Sequence, residues 1–148
     1  MAKDEFPTLG ESLKRSVRIT LAVLDEMLCD FEEIARGRER HSLLFKERNS
    51  LSAARRRAIL DKTERMRALM LELMTGLGLE ADTHDLSQEI FGRGSAFWAH
   101  LVDTESKGLK RYGEAPEGFG EYLDPKIEEL ILDLDEIVRL ARGREGGK

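Results

Sequence analysis

Between Arg36 and Arg57 the chain reads RGRERHSLLFKERNSLSAARRR, with eight Lys/Arg against two Glu. Inside it Arg36 and His41 stand five positions apart. A guanidinium and an imidazole so placed raise three readings: a nuclease site, a nucleic-acid arm, or the solvated bend between two helices. Carboxylate chemistry has two candidate places. Glu129 and Asp133 share a helical face in IEELILDLDE, and Glu26 and Asp30 stand four apart in LDEMLCDFEE. The three histidines, His41, His84 and His100, are scattered, and the Glu-x-x-His pairs of di-iron bundles are missing. His100 with Asp103 is a lone pair at helical spacing, read as a surface or half-buried histidine. No metal and no cofactor is expected.

The neighbouring residues favour plainer readings. Leu130, Ile131, Leu132 and Leu134 interleave with the late carboxylates, which fall opposite the apolar seam and read as solvation. Cys29 lies beside a seam and reads as a small packed residue; a single cysteine excludes a disulfide framework within the chain. In the basic stretch Phe45 is the lone aromatic, so the stacking platform of single-strand binders is missing. The cations there, above all Arg38, Arg40, Arg55, Arg56 and Arg57, read as a solvated patch at one end of a helical hairpin. Some of them also complement the dipole of the preceding helix. The expectation is a protein without catalytic activity, for which nucleic acid is not the partner.

What must position these residues is helical. The first apolar stripe runs Val17, Leu21, Leu24, Leu28, Phe31, Ala35, in steps of four and three. Thr8 and Glu11 have the spacing of a capping box ahead of it. A second stripe runs Ile59, Thr63, Met66, Met70, Leu73, Leu77, and Gly76 and Gly78 offer left-handed ends. Leu43, Leu44 and Phe45 fit either helix, and Asn49 with Ser50 reads as a cap or turn. A third helix starts near Thr83 to Asp85, with a break or kink expected at Gly92 and Gly94. After the Gly/Pro-rich loop YGEAPEGFGEYLDP, Asp124 caps and Pro125 opens a last helix with the seam Ile127, Leu130, Leu134, Ile137, Ala141. No run alternates with period two, so no strand is expected.

The fold expected is therefore all-α: a long antiparallel helical hairpin, coiled-coil-like in its seams, completed by shorter helices into a three- to four-helix bundle. One domain over residues 1–148 is expected, with 1–7 and 144–148 disordered. A charged content of 36% and an aromatic content of 6% suit helices with much solvated surface. The net charge of −5 is uneven: from Leu73 onward 9 Lys/Arg face 16 Asp/Glu, and the first half is slightly basic. No secretory signal is visible and no window nears ~18 uninterrupted apolar residues, so a cytoplasmic protein with no membrane partner is expected. The last helix carries Ile127, Leu130, Ile131, Leu134 and Val138, an apolar stripe suited to a groove-binding helical partner or to a homodimer.

Three resemblances bear on function. The late acidic cluster is similar to those of all-α nucleotide pyrophosphohydrolases, which would imply magnesium held by carboxylates from two helices. The Arg36 to His41 spacing resembles the motif of HEPN ribonucleases, which implies activation of a ribose 2′-hydroxyl and stabilisation of the phosphate. That family's motif has a polar residue after the arginine, where this chain has Gly37. The segment LDKTERMRALMLELMTGLGLEADTHDLSQEI is similar to the second helix of FlgN-type flagellar export chaperones. Glu64, Arg67, Leu69, Leu73, Leu77, Gly78, Leu79 and Leu86 carry the likeness, which covers about Leu13 to Ile90 and does not extend past Phe91. It implies an all-α chaperone that holds the helical ends of hook–filament junction proteins before secretion. The reading adopted is a non-enzymatic helical binding protein of that kind, with an RNA-directed protein built on residues 36–57 as the alternative.

Overall fold

The computed structural model describes residues 6–143; the expected disorder at 1–7 and 144–148 lies outside the described residues except at Phe6 and Pro7, where Phe6 O accepts from Leu9 N–H at 3.0 Å. The protein is all-α. Five α-helices follow in order: α1 (Glu11–Ala35), α2 (Ala53–Leu77), α3 (Leu86–Asp103), α4 (Ser106–Leu109) and α5 (Phe119–Ala141). A 3-10 turn at Lys110–Tyr112 follows α4, and among the described residues there is no strand beyond one isolated β-bridge. The chain divides into two compact units with the boundary between Asp82 and Thr83.

The first unit is an antiparallel pair of α1 and α2. The α1 stripe is as its spacing predicts at five of its six positions, with Leu28 and Ala35 buried and Val17, Leu21 and Leu24 half-buried, while Phe31 is exposed. The α2 stripe holds at Ile59, Thr63, Met70 and Leu77 and departs from the expected one at two positions. Thr63 is buried, but Met66 and Leu73 sit at the edge, Leu73 at 46% exposure, and Arg67 and Met74 take the inward positions instead. Arg67 can occupy a seam because α1 offers it anions. Its Nη1 meets Glu32 Oε2 at 2.5 Å and its Nε meets Asp25 Oδ1 at 3.0 Å. Cys29, expected to be packed, is exposed, with its sulfur 3.3 Å from Arg67 Nη2.

The ends of these helices differ from the sequence reading in instructive ways. Gly10, not Thr8, is the cap of α1, and no side chain accepts there. Ser52 caps α2 by accepting from Arg55 N–H at 3.2 Å. Asn49, read as a cap for α2, closes the other end of the hairpin's connection: its Nδ2 donates to Ile34 O (2.7 Å) and Arg38 O (3.0 Å). It thereby satisfies carbonyls that the end of α1 leaves open. Gly78 ends α2 at φ 66, a left-handed conformation that favours glycine, and Leu79 N–H returns to Met74 O at 2.9 Å. Leu79 is buried behind that turn.

In the second unit α3 and α5 pack antiparallel. Asp85 caps α3, accepting from Ser87 N–H at 3.0 Å and Ser87 Oγ at 2.7 Å. Contrary to expectation, α3 runs unbroken through Gly92 and Gly94. At Gly94 the reason is close approach: a Cβ there would lie 2.5 Å from Val138 Cγ2 and 3.5 Å from Leu134 Cδ1. The last helix also starts earlier than expected, at Phe119 after the left-handed Gly118 (φ 86), which leaves Pro125 inside it. Asp124 does cap a helix, but a different one. Its Oδ1 accepts from Ser106 N–H and its Oδ2 from Ser106 Oγ, both at 2.7 Å, at the first residue of α4.

Candidate functional site

The stripe on α5 proposed from sequence is largely occupied. Ile127 is buried, Ile131, Leu134 and Val138 are half-buried, and Leu134 and Val138 lie against Gly94 of α3. Leu130 alone of the five is exposed, at 52%. A partner helix reaches Leu134 and Val138 only by displacing α3.

The apolar surface that is open lies on the flanks. Among the described residues only Leu28, Ala35, Leu79 and Ile127 are buried hydrophobics, because a single layer of two helices has an inside on one line only. In the first unit the Arg67, Asp25 and Glu32 cluster marks one side of the pair. Helical spacing places Leu13, Met27 and Phe31 of α1, with Met66, Leu69 and Leu73 of α2, on the opposite side, all exposed. The second unit is built alike. Arg142 lies over the Phe91 ring, 4.2 Å from its centroid, and marks one side. Leu86, Ile90 and Phe97 of α3 and Leu130 and Ile137 of α5 are exposed along the other. Each pair of helices thus carries a row of exposed apolar side chains along one side, and further exposed ones, Ile19, Val23, Leu71, Leu132 and Leu140, lie elsewhere on the helices. Apolar spacing places Phe31, Met66, Leu73, Leu130 and Ile137 in the seams and Leu86, Ile90 and Phe97 among the apolar residues of the third helix, yet all eight are exposed.

The basic stretch resolves into a folded turn between α1 and α2. His41 and Lys46 form an antiparallel bridge, Ser42 N–H donates to Phe45 O at 2.9 Å, and Glu47 N–H donates to Arg40 O at 2.8 Å. Glu47 is the anchor. Its Oε2 accepts from Arg40 Nε (3.0 Å) and Nη2 (2.8 Å), its Oε1 from Arg40 N–H (2.9 Å), and Arg38 Nε lies 3.2 Å away. The Arg40 side-chain hydrogen bonds, then its backbone N–H, hold the Glu47 carboxyl down at about 2. Asn49 N–H donates to Glu39 Oε2 at 2.8 Å, and His41 Nε2 lies 3.5 Å from Glu39 Oε1. The patch therefore splits. Arg38 and Arg40 are tied to Glu47, and Arg56 donates to Leu51 O at 3.0 Å, whereas Arg55 and Arg57 are exposed. At the tip stand Leu43 and Leu44, which belong to neither helix and are 97% and 98% exposed.

No group of three His, Cys, Asp or Glu side chains with metal-holding geometry occurs among the described residues. Glu129, Asp133, Glu26 and Asp30 are all exposed, and the His100 ring, also exposed, packs against Phe97 with centroids 5.4 Å apart. A shallow hollow of about 280 Å³ lies over Leu109, Tyr112, Pro116 and Phe119. No helix of the described chain is long and apolar enough to cross a membrane. No family model, no curated protein and no solved structure matches this chain.

Proposed function

We propose that the protein is a non-enzymatic helix-binding protein, acting as an export chaperone of the FlgN type for a helical segment of a partner. One observation supports the reading: each helical pair presents an aligned row of exposed apolar side chains along one side. An amphipathic helix laid along such a flank adds a third helix to a two-helix layer and buries its own apolar stripe. Apolar area removed from water stabilises the complex by about 25 cal/mol per Å². A soluble chain gains nothing from five to six large apolar groups lined up in water, whereas a binding surface needs them. The Leu-rich α2 and the Leu77-Gly78-Leu79 turn also support the family likeness.

The test uses a synthetic peptide from the C-terminal helix of a hook–filament junction protein of the same organism. Co-elution with the full chain in size-exclusion chromatography is expected. Exchange of Phe97 and Ile137 for Glu is expected to abolish it in the second unit, or Phe31 and Leu69 for Glu in the first. Helical content by circular dichroism should not change, because all four side chains are exposed. No co-elution by the unaltered chain, or co-elution indifferent to both pairs of exchanges, refutes the proposal.

A further inference from the structure

We infer that the Leu43–Leu44 tip is a docking element for an anionic lipid surface, which seats the leucines in the interface while the cations behind them face the headgroups. The inference does not depend on the chaperone reading, and it departs from the expectation of no membrane partner without invoking a membrane span. Turn tips ordinarily carry Gly, Asn, Asp or Pro for backbone reasons. Here two adjacent turn positions carry leucine, at 97% and 98% exposure, and neither side chain packs on the protein. The turn is nonetheless firmly built, by the His41–Lys46 bridge, the Ser42 to Phe45 hydrogen bond and the Arg40–Glu47 clamp. A tip that is rigid, convex and apolar has paid its ordering entropy before it meets a surface.

Charge decides what the surface is. The stretch 36–57 carries a net charge of +6 in a chain whose net charge is −5, so cations are concentrated around this one turn. Lys46 and Arg48 follow the tip directly, both exposed, and Phe45 lies half out of contact beneath Arg40, 6.0 Å from its guanidinium. The carboxylates at the turn are already engaged, Glu47 by Arg40 and Arg38, Glu33 by Arg38, and Glu39 by the Asn49 N–H and His41. Apolar groups at the front and cations one layer back match the order of an anionic bilayer interface, in which acyl chains lie beneath phosphates. Single-stranded nucleic acid presents the same phosphates but gives the two leucines nothing to bury against, and the stretch lacks the aromatic residues on which bases stack.

Flotation of the full chain with vesicles tests this directly. Binding to phosphatidylcholine vesicles containing phosphatidylglycerol is expected, with little binding to phosphatidylcholine alone and a decline as salt rises. Joint exchange Leu43→Ser and Leu44→Ser should weaken binding by at least about tenfold, since it removes the only two fully exposed apolar groups at the tip. Joint exchange Lys46→Gln and Arg48→Gln should weaken it by about fivefold per cation at low salt. Unaltered circular dichroism confirms that these exposed exchanges leave the fold intact. Absence of vesicle binding overturns the inference, as does equal binding to neutral vesicles or full retention by the Ser variant. Retention of single-stranded RNA by the Ser variant, with no vesicle binding by the parent, would instead assign the turn to nucleic acid.

Discussion

The two glycines of α3 provide a sharp test of how the second unit is held together. Both lie inside a helix, where Ala is favoured over Gly by about 1 kcal/mol. Around Gly92 an added Cβ meets nothing within 4 Å, so Gly92→Ala should keep most of that gain, roughly 0.5–1 kcal/mol. At Gly94 the same methyl group would stand 2.5 Å from Val138 Cγ2. Val138 is β-branched and on a helix, so its χ1 has one strongly preferred setting and cannot simply swing aside. Relief must come from separation of α3 and α5, and overpacking of this kind costs about 1–3 kcal/mol. Subtracting the propensity gain, Gly94→Ala should be neutral to destabilising by ~2 kcal/mol. The contrast between the two variants is then roughly 1–3 kcal/mol, and it cancels errors common to both. Urea unfolding followed by Trp98 fluorescence is the assay, because the single Trp of the chain is on α3 and reports this unit. The added exchange Val138→Ala in the Gly94→Ala background should recover part of the loss. Equal stabilisation by both alanines would mean that α3 and α5 do not pack through Gly94, and the described register would be wrong.

Two further expectations concern the first unit. Leu28 is fully buried, so Leu28→Ala should cost ~2–5 kcal/mol, while Leu73→Ala, at an edge position, should cost less than about 1.5 kcal/mol; similar losses in denaturant melts would restore Leu73 to the seam. Glu47 has a folded pKa lowered from 4.5 to about 2, so its contribution is fully present above about 4.5 and is lost as pH falls towards 2. Carboxyl shifts by NMR should show Glu47 titrating near 2, with Arg40 and Glu47 amides losing protection as pH falls through that window; a Glu47 midpoint near 4.5 would dissolve the clamp.

The helical class and the α1 stripe were legible because both follow from apolar spacing alone. The α2 stripe was legible at Ile59, Thr63, Met70 and Leu77 but not at Met66 and Leu73, and Arg67 explains why. A pattern that scores only apolar residues steps from Thr63 to Met66, whereas the packed line steps to Arg67, whose guanidinium is satisfied by Asp25 and Glu32 from another helix. That compensation is 35 and more positions away in the chain and leaves no local trace. Caps failed in the same manner. Asn49 and Asp124 were both recognised as capping side chains, but each serves a helix other than the one it adjoins in sequence. A sequence shows that a capping group is present; tertiary structure selects its recipient.

The exposed surfaces were missed for a different reason. An apolar residue one position off a stripe looks like a widened stripe, and a wide stripe ordinarily means more core. Only the pairing of helices shows that Leu86, Ile90, Phe97, Leu130 and Ile137 fall on a side with nothing across from it. The leucines at positions 43 and 44 escaped because turn recognition relies on Gly, Pro, Asn and Asp, residues chosen for backbone freedom. A turn stabilised from outside, by the Glu47 clamp and by Asn49, does not need them at its tip. The tip positions are then released from conformational duty, and leucine there is a choice that the fold neither requires nor uses. Residues that satisfy no local rule and make no internal contact point to function, and in this chain Leu43 and Leu44, at 97% and 98% exposure, meet that description where Arg38 and Arg40, tied to Glu47, do not.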